Sequence, residues 1–310
     1  MSIRRLLTAS AALLLLALAL AARGEAPATP PAPAAPAAAP AMPDTPPGLP
    51  GVLPGRVSQW RGFERHDFVF EGCSTIIVVP PIAAPGKPWL WRAKFFNHRP
   101  EVDAALVGKG FHLVYIEIGN TFGCPDALKH WDALYKELTE RYGFSRKVAL
   151  EGLSRGGLDC FNWAAANPDK VACIYADAPV CDFKSWPGGK GKGKGSPLEW
   201  KKLLADYGFK SEAEALAYAK NPIDNLAPLA RAGIPLLHVC GDADDIVPYA
   251  ENTALVKERY EKLGGRIQVI LKPGVGHVHG LEDPTAIVEF VWTNAGGGVP
   301  RVVPAAKAST

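Results

Sequence analysis

Between residues 75 and 271 the chain alternates short apolar or β-branched runs with stretches whose apolar residues recur every three or four positions. Residues 75–80, 89–96, 111–118, 147–152, 171–176, 235–240 and 266–271 read as strands. Residues 101–109 place Val102, Ala105 and Leu106 on one helical face. Residues 126–142 do the same with Leu128, Trp131, Leu134, Tyr135 and Leu138. A third helix over 156–167 is stopped at Asn167-Pro168. Strands alternating with helices predict βαβ units, a mostly parallel sheet and helices on both faces. Segment 182–233 breaks the rhythm. It lies between two strands and is too long for an ordinary loop. It opens with a Gly-Lys run at 189–195 and continues with helical stretches at 198–207 and 211–220, which predicts a small cap at the carboxyl edge of the sheet.

The ends have a different character. Residues 1–5 are basic, 6–20 are almost purely Leu and Ala, and Ala19-Leu20-Ala21 has the small-x-small form of a cleavage site. Residues 1–22 are therefore expected to be a signal peptide, and the chain periplasmic or extracellular; an uncleaved membrane anchor is the alternative. Residues 23–56 are dominated by Ala and Pro and read as an extended linker. The folded domain is expected over 57–294, with a loose tail at 295–310. Export permits disulfides among the six cysteines, whose 15 full pairings sequence does not separate. Cys173 and Cys240 sit in apolar runs and read as small buried hydrophobes.

The chain has 34 Lys+Arg against 31 Asp+Glu, so charge gives no reason to expect a nucleic-acid partner. There is no C-x-x-C and no His/Cys cluster to suggest zinc, and no metal or organic cofactor is implied. Oligomeric state is open.

The candidate chemistry begins at Gly152-Leu153-Ser154-Arg155-Gly156-Gly157. This G-x-S-x-G follows a strand and opens a helix, the context of a nucleophile elbow. A sharp turn there lifts the serine Oγ above the sheet edge and aims the N–H of Arg155 at a developing oxyanion. A serine needs a base, and the base needs an acid to orient it. After strand 235–240 comes Gly241-Asp242-Ala243-Asp244-Asp245-Ile246-Val247-Pro248, which offers three carboxylates as the acid; its G-x-x-D-x-x-V-P form resembles the acid loop of many α/β-hydrolases, which implies Asp244, with Asp245 as runner-up and turn capping as the other use of Asp242 and Asp245. After the next strand, the Gly-rich loop 272–280 offers His277 as the base and His279 as runner-up.

With those loops in that order, the chain resembles the α/β-hydrolase superfamily over most of residues 57–293. Within it, the chain is similar to bacterial secreted esterase-like and prolyl-oligopeptidase-like hydrolases. The resemblance implies the α/β-hydrolase fold with a helical cap, acyl transfer through Ser154, Asp244 and His277, and a second oxyanion donor after the third core strand. Many esterases have His-Gly-Gly there. This chain has Phe95-Phe96-Asn97-His98-Arg99, so the backbone N–H of Phe96 or Asn97 is the candidate. The Ser154-Arg155 step also resembles glucuronoyl esterases, which implies that the Arg155 side chain helps hold the oxyanion. The expected substrate is a small-molecule or glycan carboxylic ester. The alternatives are a prolyl-oligopeptidase-type serine peptidase and a non-catalytic binding module that keeps the fold. Trp89, Trp91, Trp186 and Trp200 are candidates to face the site. Lys190, Lys192 and Lys194 are read either as a lure for an acidic substrate or as a loose solvated loop.

Overall fold

The fold is known from a computed structural model, which describes residues 51–296. The expected signal segment, most of the linker and the tail beyond residue 296 lie outside the described residues. Nine strands, β1 (Arg56–Trp60), β2 (Phe63–Phe70), β3 (Cys73–Val79), β4 (Trp89–Arg92), β5 (His112–Ile116), β6 (Val148–Leu153), β7 (Val171–Asp177), β8 (Leu236–Gly241) and β9 (Ile267–Lys272), form one sheet. Its order is β1-β2-β3-β5-β4-β6-β7-β8-β9. From β5 through β9 every pairing is parallel, and β1, β2 and β3 form an antiparallel extension. The α/β-hydrolase class expected from the sequence is the class observed.

Two strands were not legible in the sequence. β1 and β2 carry Arg65 and Asp67 beside buried His66 and Phe68, so no apolar run marks them. Their turns are Arg61-Gly62 and Glu71-Gly72, with both residues of each at positive φ, the geometry that matches the twist of a tight hairpin.

Among the described residues there are eight α-helices, α1 (Glu101–Gly108), α2 (Pro125–Arg141), α3 (Gly156–Ala166), α4 (Pro197–Asp206), α5 (Glu212–Ala217), α6 (Ala227–Arg231), α7 (Thr253–Lys262) and α8 (Thr285–Ala295). Alternation along the central strands divides two cores. Trp89 and Trp91 of β4 and Leu150 of β6 meet α2 and α3 on one face. Leu90, Ala149 and Tyr175 meet α1 and α8 on the other. Trp91 stacks on Trp131 of α2 with centroids 4.3 Å apart, and Trp163 of α3 meets it edge-on at 5.5 Å. Such pairs add about 0.5–1.5 kcal/mol each beyond the area they bury. Trp89 and Trp91 are fully buried, so they are core residues and do not face the site.

The segment between β7 and β8 carries α4, α5 and α6. Its first part buries Phe183, Trp186, Trp200 and Leu203 with Phe122, Leu158 and Val247. Its last part leaves this cluster, and Ile223, Leu226 and Leu229 rejoin the main core. The Gly-Lys run is tied down. Lys190 pairs with Glu212, Lys194 Nζ lies 2.6 Å from Asp245, and the Lys192 N–H donates to Glu251. The expectation of a loose loop is thus corrected, and two of its lysines are engaged by acids of the chain itself. Cys124, Cys160, Cys173, Cys181 and Cys240 are buried free thiols, Cys173 and Cys240 as expected.

Candidate active site

The elbow is built from steric necessity. Ser154 has φ +50°, a left-handed conformation costly for a residue with a Cβ. It is held there by three backbone hydrogen bonds. Its N–H donates to Asp177 O (2.9 Å), and its carbonyl accepts from Gly157 (3.0 Å) and Val180 (2.9 Å). A Cβ on Gly152 would come within 2.7 Å of the Gly156 carbonyl oxygen. One on Gly157 would come within 2.7 Å of Pro179 Cβ. The glycines let strand, turn and helix approach closely enough to project Ser154 from the carboxyl end of β6.

Loops after two other strands bring their side chains to this point. Ser154 Oγ lies 3.0 Å from His277 Nε2, and His277 Nδ1 lies 2.6 Å from Asp244 Oδ2. Asp244 Oδ1 accepts the N–H groups of Ile246 and Val247, both at 2.9 Å. Burial acts to raise this carboxyl. The His277 hydrogen bond and the two amides outweigh it and hold Asp244 below the usual carboxylate range.

The runners-up are placed elsewhere. Asp245 is exposed and paired with Lys194. Asp242 caps the Gly274 N–H. His279 Nδ1 faces His98 Nε2 at 3.3 Å, not Ser154. Burial, then the nearby His277, His98 and Lys272, push His279 down to about 3, so it is neutral at ordinary pH. The histidine loop is anchored from below. Lys272 Nζ donates to Val278 O and Gly280 O, and buried Asp177 accepts the Gly280 N–H at 2.9 Å.

Phe95, His98, Arg99, Ser154, His277, Val278 and His279 line a cavity of about 500 Å³. Another of about 310 Å³, between β2 and α2, holds no serine and no histidine. The Phe96 side chain does not enter the cavity. β4 ends at Arg92 rather than at 96, because Phe95 (φ +57°) and Asn97 (φ +69°) turn the chain out of the strand. That turn sends Phe96 against Trp60 and Tyr115 (centroids 5.8 and 5.5 Å), and Asn97 Oδ1 accepts the Trp60 indole N–H. Phe95 is the residue that enters the cavity. Among the described residues the N–H groups of Phe95, Phe96, Asn97 and Arg155 all lack an acceptor, which leaves the second oxyanion donor within this turn. The Arg155 side chain does not line the cavity. Its Nη1 lies 3.2 Å from Glu199 of α4, and its guanidinium lies 4.7 Å from the Trp186 ring centroid. Trp186 and Trp200 belong to the cap cluster and do not line the cavity either.

Sequence reasoning missed the residue that organises the 93–99 loop. Arg92 is fully buried. Its Nε donates to Lys94 O (3.1 Å) and Phe95 O (3.2 Å), and its Nη2 to His98 O. Its Nη1 contacts Asp103 (2.5 Å) and Glu151 (3.0 Å), the latter on β6 three residues before Ser154. Burial and the adjacent Asp103 push Glu151 well above the usual carboxylate range. Arg92 remains charged, because its two carboxyl neighbours outweigh its own burial. The available signal was an Arg closing the apolar run Trp89-Leu90-Trp91 and a Glu inside Val148-Ala149-Leu150: charges in buried strands are seldom unpaired.

Comparison with known proteins decides the family. The model of the prolyl oligopeptidase family matches residues 107–293, more than half of the chain. The chain belongs to the prolyl oligopeptidase family. It is therefore a serine hydrolase, and 107–293 contains Ser154, Asp244 and His277. Among solved structures it is similar to the acylaminoacyl peptidase of Pyrococcus horikoshii, with TM-score 0.58 and 14% identity over 76% of this chain and 42% of that one. It is also similar to dipeptidyl peptidase 4 of Porphyromonas gingivalis, with TM-score 0.53 and 16% identity over 72% of this chain and 33% of that one. The chain thus spans about two fifths of the first structure and a third of the second, and at these identities the likeness is one of fold. A comparison with curated proteins found no match.

Proposed function

We propose that this chain is a serine peptidase acting on short peptides, with Ser154 as nucleophile, His277 as general base and acid, and Asp244 as orienting carboxylate. The observation that carries the proposal is the continuous chain Asp244–His277–Ser154, at 2.6 and 3.0 Å. In the first step the Ser154 Oγ–H proton passes to His277 Nε2 as Oγ bonds to the scissile carbonyl carbon. Asp244 fixes the imidazole tautomer and stabilises the imidazolium. The N–H groups of Arg155 and Phe95 hold the oxyanion. Collapse breaks the C–N bond as His277 returns its proton to the leaving amine, and water then repeats the sequence on the acyl-enzyme. Amide cleavage takes precedence over the ester cleavage expected from sequence because of the family, and because both similar structures named above are peptidases. The same machinery acts on activated esters, which are the convenient probes.

A fluorophosphonate probe is expected to label Ser154 in folded protein, with labelling and 4-nitrophenyl butanoate turnover both lost in Ser154→Ala. His277→Ala is expected to match that loss, and His279→Ala to cost far less. An unlabelled Ser154, or a reversed order for the two histidines, refutes the assignment.

A further inference from the structure

We propose that the cavity at Ser154 is a carboxylate-binding site in which the Arg99 guanidinium holds an anionic group of the substrate, so that the chain selects acyl compounds bearing a carboxylate close to the scissile carbonyl. The inference rests on the serine-hydrolase reading for its turnover arm only.

Arg99 enters the same cavity as Ser154 and His277, yet its guanidinium has no ion pair, hydrogen bond or ring partner among the described residues. No carboxylate lines the cavity. Asp244 lies behind the His277 ring and is 6% exposed. Lys190 and Lys194, by contrast, are matched by Glu212 and Asp245. Arg99 is thus a cation that shares a cavity with the nucleophile and, among the described residues, has no acid of the chain beside it.

The backbone presents it at a cost. Phe95, Asn97 and Arg99 all have positive φ, at +57°, +69° and +51°. Each such residue costs about 1 kcal/mol or more and persists only where its surroundings impose it. Here buried Arg92 imposes it through the carbonyls of Lys94, Phe95 and His98. The aliphatic stem of Arg99 rests over Gly280, with Cβ, Cγ and Cδ all 3.8 Å or closer to where a Cβ on that glycine would stand. The stem is thus located while the fork stays free. A planar guanidinium takes a carboxylate through two parallel hydrogen bonds, which fixes direction as well as distance. His98 beside it adds an imidazole, and the neutral His279 leaves the permanent charge of the rim on Arg99. A cavity of about 500 Å³ suits a short peptide with a terminal or side-chain carboxylate.

The test uses esters that differ by one group. 4-Nitrophenyl hemisuccinate replaces the terminal methyl of 4-nitrophenyl butanoate with a carboxylate on the acyl side, and 3-carboxy-4-nitrophenyl butanoate adds one on the leaving side. The wild type is expected to favour one anionic ester over the neutral one by about tenfold in kcat/KM, the size of one charge-assisted contact. That ratio is expected to collapse in Arg99→Gln and to be kept only in part in Arg99→Lys, which retains the charge without the fork; a ratio cancels any loss of folded protein. Calorimetric binding of the same three esters to Ser154→Ala, with and without Arg99→Gln, reads the site without turnover. If no ester is turned over but the anionic preference in binding depends on Arg99, the serine chemistry fails and the site stands. If neither anionic ester is preferred, or the preference survives Arg99→Gln, the proposal is overturned.

Discussion

Replacing Arg92 tests whether the loop that supplies Phe95 and Arg99 depends on one buried fork. Arg92→Met removes every donor of the side chain at once. It strands the carbonyls of Lys94, Phe95 and His98 and leaves Asp103 and Glu151 adjacent without their shared cation. Removing one partner of a buried ion pair costs about 3–5 kcal/mol. A proton on Glu151, whose carboxyl is already pushed upward, offsets part of that. The expected loss of stability is about 3 kcal/mol, read from the urea midpoint at unchanged slope. Arg92→Lys separates charge from geometry. A lysine keeps a cation beside Asp103 and Glu151, but as a point charge it cannot reach five acceptors in a plane. It is expected to keep most of the stability while kcat for 4-nitrophenyl butanoate falls about 10²-fold, the scale of one lost oxyanion donor. KM is expected to change less, since the donor acts mainly on the developing charge. A folded Arg92→Lys protein with kcat within twofold of wild type would show that the loop holds its shape without the fork, and the reasoning would fall.

Two further outcomes follow from the ground beneath the elbow. Burial pushes the Asp159 carboxyl up to about 6, against the opposing pull of Lys94 and the Gly123 amide. The folded chain thus keeps a proton that the unfolded chain has already lost above about pH 4, so this group lowers stability as pH rises from about 4 to 6. A rise from 3.8 to about 6, at about 1.4 kcal/mol per pH unit, gives about 3 kcal/mol. Asp159→Asn is expected to gain on wild type by that amount across the window; a gap that is flat with pH in denaturant titrations rules the assignment out. Gly157→Ala puts a methyl 2.7 Å from Pro179 Cβ and 2.8 Å from Val180 O, both fixed, and is expected to cost about 1–3 kcal/mol and most of the fluorophosphonate labelling; a protein as stable as wild type would show that the elbow yields.

What the sequence disclosed and what it withheld divide along a physical line. The elbow, the acid loop and the histidine loop were legible because each is local: glycines beside a polar residue at the end of an apolar run. The choice between Asp244 and Asp245 came from the resemblance of 241–248 to a family acid loop; in the structure Asp244 is 6% exposed and holds His277, while Asp245 turns to Lys194. The course of the chain after β4 escaped. Alternation assigns faces only while the chain stays extended, and positive φ at Phe95 and Asn97 turns it aside beyond Arg92. Trp89 and Trp91 stayed open between site and core because a strand's sequence does not say which neighbouring helix covers it; Trp131 and Trp163 do.

The contacts that position the chemistry are long-range and charged. Arg92 to Glu151 spans 59 residues, Asp177 to Gly280 spans 103, and Ser154 to His277 spans 123. No local pattern encodes such pairings, yet each leaves a trace, an ionisable residue in a run that should be wholly apolar. In β4, β6 and β7 those residues are Arg92, Glu151 and Asp177, one on each of three adjacent parallel strands. Arg92 and Asp177 close their strands, where the sheet stops and the loops begin, and Glu151 sits beside Arg92 inside β6. Fully apolar residues there would bury more cheaply. Charged ones reach past the sheet to fix backbone: Arg92 the 93–99 loop, Asp177 the Gly280 amide, with Glu151 holding Arg92 in place. These charged residues are the foundation of both walls of the cavity. Arg99 is placed by the same means as Phe95, since one clamp sets the 93–99 loop that carries both.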